Sequence, residues 1–519
     1  MNREMIFHFD HPHVGTIAEI SDVVGGKGAS LWAMTSRLGL PTPPGFTIGV
    51  NTCAMLGKSE VTESFTAKMN NAIARLERKT GKKLGDTENP LLLAVRSGAS
   101  VSMPGMMETL LNVGVTPLTL PALQNITGDH CFALDSYRRF LEGFCKSTLN
   151  IDHPMFDAQT IEQAGLPDHI SDLEAVIRER IGGEQLCDAR YLLNECIHAV
   201  IRSGNSATAQ AYRKKTGLPE SLGTAVTVQA MVFGNTGARS GTGVVFSRDP
   251  NSGEKEICGD WISNAQGDDV VAGDSATSDI SVFGATHPSA YEELKLYLEQ
   301  LEIFYQDMVD VEFTVDQGKL WILQARVGKR TARAASRIAV ELANSERFEL
   351  NKKDALATIT QSLSNEKSST KILAGERKPI TTGIGASAGI ASGFAVFTSE
   401  DAIEAVEDGK EVVLIRQETS PADVHGMAVA TGILTSLGGL MSHAAVVARD
   451  WNLPAVVGAA GMQFTADALV IGTAKIQRGD TISIDGNTGE VFVGEMLSTA
   501  DDDPYLEQLK AWAEKKEKD

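Results

Sequence analysis

The chain is short of positive charge, of paired cysteines and of long apolar runs. Its 519 residues carry 47 Lys plus Arg against 67 Asp plus Glu, a formal net charge of −20. That balance argues against a general nucleic-acid-binding surface but leaves room for one cationic pocket that takes an anion. The six cysteines (Cys53, Cys131, Cys145, Cys187, Cys196 and Cys258) form no C-x-x-C pair and no zinc spacing. Scattered single thiols in an acidic chain read as reduced cytosolic residues. The first eight residues lack a signal-peptide core, and no apolar run approaches the ~20 residues of a membrane span. The expectation is a cytoplasmic protein with no membrane and no nucleic-acid partner. No internal repeat or low-complexity segment is found.

Glycine is plentiful, at 49 positions, beside 42% hydrophobic residues. That composition suits a folded, loop-rich α/β (α+β) protein, and the length calls for two or three domains. Residues 1–330 mix strand-like runs with glycine turns around a helical insertion at about 130–215. Residues 331–380 read as a charged helical connector. Residues 381–497 form a compact α/β unit, and 498–519 a charged tail.

The most informative run is Gly438-Gly439-Leu440-Met441-Ser442-His443-Ala444-Ala445-Val446-Val447-Ala448-Arg449. Ser442 is a good N-cap for an apolar helix that opens with His443. A histidine there lies beside unpaired backbone N–H groups and the positive end of the helix dipole, a setting that favours a phosphoryl group. Neutral imidazole is also a nucleophile near pH 7. The functional reading is a phosphohistidine carrier. On helix signals alone, a capped core helix with an incidental histidine explains the same residues.

Three further stretches bear on a nucleotide. Gly25-Gly26-Lys27-Gly28 precedes a helix-like run but is not a P-loop, because glycine follows the lysine. A simple turn explains it as well. Gly234 to Gly243 (Gly-Asn-Thr-Gly-Ala-Arg-Ser-Gly-Thr-Gly) lies between two strands and reads as a hairpin lid. Its glycines would admit phosphate to the backbone, and Arg239, Ser240 and Thr242 add donors. Val309 to Val315 alternates, turns at Asp316-Gln317-Gly318 and returns through Lys319 to Arg326. A three-residue turn would set Glu312 opposite Ile322, with Asp310, Glu312, Gln324 and Arg326 on one face. A carboxylate beside an amide oxygen suits Mg²⁺, and the arginine suits a phosphate. A solvent-facing edge hairpin is the bland alternative.

The histidine run, with Glu418-Thr419-Ser420-Pro421 and His425-Gly426-Met427 before it and Pro454-Ala455-Val456-Val457-Gly458 after it, resembles the pyruvate phosphate dikinase and phosphoenolpyruvate synthase family. The glycine loops, the hairpin, Val95-Arg96-Ser97-Gly98 and Ser102-Met103-Pro104-Gly105-Met106-Met107 resemble that family's nucleotide-binding half. The resemblance implies an ATP-grasp domain followed by a swivelling phosphohistidine domain. By position it implies His443 as the phosphorylated residue, with Ser442, Gly439 and Arg449 in support. It implies Lys27, Arg96 and Arg326 as phosphate contacts, Gly241, Thr242 and Gly243 as the lid, and Glu312 and Gln324 as Mg²⁺ ligands. In such enzymes the β-phosphoryl of ATP goes to histidine and the γ-phosphoryl to phosphate or water.

Three departures stand out. The family usually has Glu where Asp268 stands, within Asn264-Ala265-Gln266-Gly267-Asp268-Asp269, and a basic continuation where this chain has Asp274-Ser275-Ala276-Thr277. Met441 replaces the threonine whose phosphorylation switches the plant enzymes, which leaves Ser442 as a substitute. No stretch resembles the family's pyruvate or phosphoenolpyruvate barrel. The expectation is therefore a phosphoryl-donor component, either with an acceptor-binding partner subunit, as in split members such as phenylphosphate synthase, or as a fragment of a longer chain. The acceptor would be pyruvate-like, or a phenol or alcohol. A regulatory partner that only senses nucleotide is the alternative.

Overall fold

The computed structural model describes residues 5–58, 62–101, 107–151, 165–219, 223–272, 277–363, 370–372, 377–440, 442–465, 468–500 and 503–516. It is a mixed α/β structure in two compact units. The first comprises Met1–Ala238 with Trp321–Gln324, and the second Arg239–Leu320 with Ala325–Asp519. Among the described residues no helix is long and apolar enough to cross a membrane.

The first unit is built on a five-stranded sheet of order β1-β2-β5-β3-β4, from β1 (Ile6–His8), β2 (Gly45–Ile48), β3 (Leu93–Ala99), β4 (Thr109–Val113) and β5 (Thr224–Ala230). Strands β2 and β3 both pair antiparallel with β5, placing Arg96 beside Thr227. Helices His130–Ser147 and Ala189–Ser203 pack on it through Phe140, Phe144, Leu193 and Ile197. The first follows from its sequence: Asp129 caps it by accepting from the Phe132 N–H, and Phe132, Ser136, Phe140 and Phe144 recur at helical spacing on its buried face.

The second unit begins with strands of a sheet of order β10-β9-β6-β7-β8, from β6 (Gly241–Phe246), β7 (Cys258–Ser263), β8 (Ser278–Asp279), β9 (Val309–Asp316) and β10 (Lys319–Val327), of which Trp321–Gln324 are counted with the first unit. Helices Ala332–Ala343, Lys352–Leu363 and Pro504–Lys516 follow, sharing a small core of Ala335, Ala339, Ala355 and Leu509. Strands β11 (Thr370–Ile372) and β23 (Ser498–Ala500) pair antiparallel with each other.

The histidine helix is carried by an eight-stranded sheet of order β12-β22-β21-β14-β15-β16-β17-β13. Its strands are β12 (Thr381–Thr382), β13 (Ile384–Ser387), β14 (Ile390–Val396), β15 (Val412–Arg416), β16 (Gly432–Thr435), β17 (Ala455–Val457), β21 (Thr481–Asp485) and β22 (Glu490–Val493). Strands β14 to β17 run parallel at its centre. Parallel strands buried on both faces read as near-continuous apolar runs, as Val412-Val413-Leu414-Ile415 does. A three-stranded meander, β18 (Met462–Phe464), β19 (Ala468–Ile471) and β20 (Ala474–Gln477), completes the unit.

Two sequence expectations are corrected. The strands flanking the 234–243 loop, β5 and β6, belong to different sheets, so the loop is not a hairpin, and Gly241, Thr242 and Gly243 lie within β6. The β9–β10 turn is Gln317-Gly318, not three residues: both have positive φ (51° and 86°), the conformation that suits a tight two-residue hairpin.

Candidate active site

His443 opens the helix His443–Trp451. Ser442 caps it, its hydroxyl accepting from the Ala445 N–H at 3.4 Å and donating to the Gly439 carbonyl at 2.9 Å. That second bond ties the glycine loop to the helix cap. Gly438, at φ +97°, makes the turn that a side chain would strain. The imidazole is anchored at one nitrogen only. Nδ1 lies 3.2 Å from Thr419 Oγ1, whereas Nε2 is buried with no hydrogen-bond partner among the described residues. With the proton on Nδ1 donated to Thr419, Nε2 keeps its lone pair for attack. Burial pulls the His443 pKa down to about 4, against the opposing charge of Asp423. The ring is therefore neutral across the physiological range.

Asp423 is itself held. It accepts from the Ser420 N–H at 2.9 Å and faces Arg416 Nε at 3.2 Å. Thr419 and Asp423 had no assigned role on sequence grounds. The only signal was the string Glu418-Thr419-Ser420-Pro421, which nothing local connects to a helix that starts 24 residues later.

The far end of the helix is fixed by Arg449. Its guanidinium is buried, donates to the carbonyls of Ala386 and Leu440, and lies 5.3 Å from the centre of the Phe246 ring on β6. Burial lowers the Arg449 pKa to about 10, partly offset by Asp310.

The β6–β10 sheet presents several candidates on one face. Across β7, β6 and β9 the register aligns Asp260, Val244 and Glu312 in one row and Cys258, Phe246 and Asp310 in the next. Residues directly opposite share a face, so the expected metal ligand Glu312 shares one with Phe246, against which Arg449 packs. Asp310 is buried and its carboxyl is pushed up by burial, although Arg326 donates to its Oδ2 through Nε at 2.9 Å and Nη2 at 2.8 Å. Arg326, expected to meet a phosphate, is thus already committed to a carboxylate. Gln324 is buried on β10, and its Oε1 has no partner among the described residues.

The lid candidates have other partners. A Cβ on Gly241 would lie 2.3 Å from Trp261, and one on Gly243 2.7 Å from Phe313. Thr242 Oγ1 donates to the Phe313 carbonyl at 3.1 Å. Ser240 Oγ accepts from the Gln317 N–H at 3.0 Å, and Arg239 donates to Gln317 Oε1 at 3.1 Å, so both secure the β9–β10 turn. Asp268 lies in the helix Gly267–Ala272, its side chain outside the described residues, as are residues 102–106, 273–276 and Met441.

In the first unit, the Gly-Gly-Lys-Gly run breaks the helix Ile17–Trp32 at Gly25, whose φ is +72°. A Cβ there would meet the Gly98 carbonyl at 2.1 Å, and one on Gly98 would lie 3.4 Å from Lys27 Cβ. Lys27 therefore stands beside the strand that carries Arg96. Among the described residues, no group of three or more His, Cys, Asp and Glu is placed to hold a metal.

Residues 56–290 and 285–347 match the family described as pyruvate phosphate dikinase, AMP/ATP-binding domain, and residues 408–489 the family of the PEP-utilising enzyme, mobile domain. The chain belongs to the pyruvate phosphate dikinase family. Among its relatives, pyruvate, phosphate dikinase of Rhizobium meliloti (strain 1021) is 41% identical over 510 residues, 92% of this chain and 56% of that protein. The Giardia intestinalis protein is 42% identical over 527 residues, 95% and 58% of the two chains. The chloroplastic protein of Flaveria pringlei is 38% identical over 534 residues, 99% and 55%. The chain thus spans a little over half the length of these dikinase relatives. Within the family match, the mobile-domain segment holds His443 and the AMP/ATP-binding segment holds Arg96, Glu312 and Arg326.

Proposed function

We propose that this chain acts in an ATP-dependent phosphotransferase, with His443 taking a phosphoryl group from Mg·ATP and passing it on. The observation that carries the reading is the Nε2 of a neutral imidazole, buried without a partner among the described residues, whose other nitrogen is held by Thr419. In the transfer an Nε2–P bond forms as a P–O bond of the nucleotide breaks, and the electron pair leaves on the departing phosphate oxygen. Lys27 and Arg96 in the first unit supply cationic phosphate contacts. Arg239, Ser240, Gly241, Thr242, Gly243 and Arg326 are the further phosphate-binding candidates, of which Arg239 and Arg326 carry charge.

Glu312 and Gln324 would hold Mg²⁺. The Oε1 of Gln324, buried without a hydrogen-bond partner among the described residues, fits a hard cation that prefers oxygen ligands. When bound, the ion neutralises phosphate charge. The acceptor is pyruvate-like or a phenol or alcohol, and the names of the relatives favour pyruvate. Those relatives are single, longer chains. That favours an acceptor site in the part of such proteins that residues 1–519 do not match over one on a separate partner subunit. A regulator that only senses nucleotide would need no nucleophilic lone pair held ready on His443.

The test is incubation of the chain with β-labelled ATP and Mg²⁺. Acid-labile, base-stable label on the peptide holding His443 is expected. An absence of label while ATP is bound would leave the sensing reading in its place.

A further inference from the structure

Within the second unit, the histidine-bearing segment lies on the β6–β10 sheet through a defined set of contacts. Val446, on the outer face of the histidine helix, packs with Val244, Phe246, Ala334 and Ile338. Asn251 Nδ2 donates to the Gly385 carbonyl at 2.5 Å, and Lys329 pairs with Asp450. Arg449 covers the Phe246 ring. At the active-site end the loop before His443 meets Asp260. A Cβ built on Gly439 would fall 2.4 Å from Asp260 Oδ2 and 2.5 Å from Oδ1. Asp260 is a short side chain, 5% exposed, with Thr277 Oγ1 donating to it at 3.4 Å, so it has little freedom to withdraw.

We propose that Asp260 and Arg449 are positioning residues that latch the histidine segment onto the β6–β10 sheet for phosphoryl uptake, with Gly439 left bare so that the Asp260 carboxylate can seat against the loop. The inference rests on the reading that His443 is phosphorylated from ATP. Register supports the purpose of the latch. Asp260 lies in the same row as Glu312, so seating the loop on Asp260 fixes His443 over the face that carries the expected metal ligand. The composition of the contact suits reversible docking. It joins a small apolar patch to an ion pair, a hydrogen bond and a cation–π contact, the mixture found where two parts of a chain separate and rejoin. A histidine that must later serve an acceptor needs such a contact.

The latch is tested by reciprocal substitution in the full chain, with two readouts. The first is the single-turnover rate of labelling by β-labelled ATP. The second is the rate at which Cys258 reacts with a thiol reagent, measured by mass spectrometry; Cys258 is half-buried on the same face, within the field of Arg449. Gly439→Ala is expected to slow labelling at least about tenfold, because the rate scales with the docked fraction. It should also speed Cys258 modification, with ATP binding unchanged. Asp260→Ala alone should cost less. The double variant should return to the Asp260→Ala level in both readouts, because the atoms that the new methyl group would strike are gone. Arg449→Lys should lie between wild type and Arg449→Ala in Cys258 reactivity.

A double variant no better than Gly439→Ala, or a Gly439→Ala protein indistinguishable from wild type, overturns the latch. If wild type takes no label yet Cys258 shows the reciprocal pattern, the latch stands and the phosphotransfer reading falls.

Discussion

The two faces of the β6–β10 sheet are built from alternate residues of the same strands and are filled in opposite ways. On one face Trp261 and Phe313 stack 5.8 Å apart with their planes within 10°, and Gly241 and Gly243 leave the space that these rings take. On the other lie Asp260, Glu312, Asp310 and Phe246, met by a buried arginine and by the loop that presents His443. The aromatic face is dry, self-complementary and fixed. The acidic face carries groups that need a partner, and part of that need is met by a segment whose proposed task requires it to leave. A single period-2 pattern thus separates what holds the unit together from what works.

The contrast is sharpest at His443. Replacing it with alanine should abolish covalent labelling by ATP, while equilibrium ATP binding and the melting temperature stay near wild type, because the ring contributes one hydrogen bond to Thr419. Label that persists in the variant, with the same acid lability, would remove His443 from the chemistry and leave the acidic face without its function.

On the opposite face the expected loss is in stability. Gly241→Ala places a methyl group 2.3 Å from two ring atoms of Trp261. Overpacking of this kind costs about 1–3 kcal/mol, visible as a lower urea midpoint with an unchanged slope. If Gly241 serves only to admit Trp261, the fraction that stays folded should label at the wild-type rate. A stable Gly241→Ala protein with weakened ATP affinity would instead make Gly241 part of a phosphate lid.

This pair of outcomes bears on what could be read in advance. The histidine helix was legible because its signals are local: a capping serine, a glycine pair and an apolar run within twelve residues. The carboxylates of the hairpin were legible as alternation, although the turn was one residue too long and Arg326 turned out to be held by Asp310. Gly241 and Gly243 report that something comes close but not what, and their sequence neighbourhood gave no sign of the rings that do, Trp261, twenty residues on, and Phe313, seventy residues on. Asp260 gave no signal for the same reason. Its neighbour Gly439 is 179 residues away and only the fold joins them.

A smaller effect separates Thr419 from the residues around it. Thr419→Val keeps the shape and removes the oxygen that fixes His443 Nδ1. Losing one hydrogen bond of about 1 kcal/mol should slow labelling roughly fivefold, with little change in ATP affinity. Thr419→Ser should restore most of the rate. A valine variant at full rate would mean that helix geometry alone orients the ring.

The smallest expected change is with pH, and its size is the point. The nucleophile is neutral imidazole, so reactivity is present above the folded-state pKa and lost as pH falls through it. Burial sets that pKa at about 4, despite the pull of Asp423 in the other direction. A solvated histidine, with a pKa near 6.5, would be about one-tenth neutral at pH 5.5 and would label roughly tenfold more slowly there. His443 should instead label at pH 5.5 within about twofold of its rate at pH 7.5. The assay is single turnover at saturating Mg·ATP, quenched in base to keep the phosphohistidine. An inflection near pH 6.5 that follows His443 would show the ring open to water, and the acidic face would then be as wet as the aromatic face is dry. A flat profile requires that the segment above it stay docked while the nucleotide reacts.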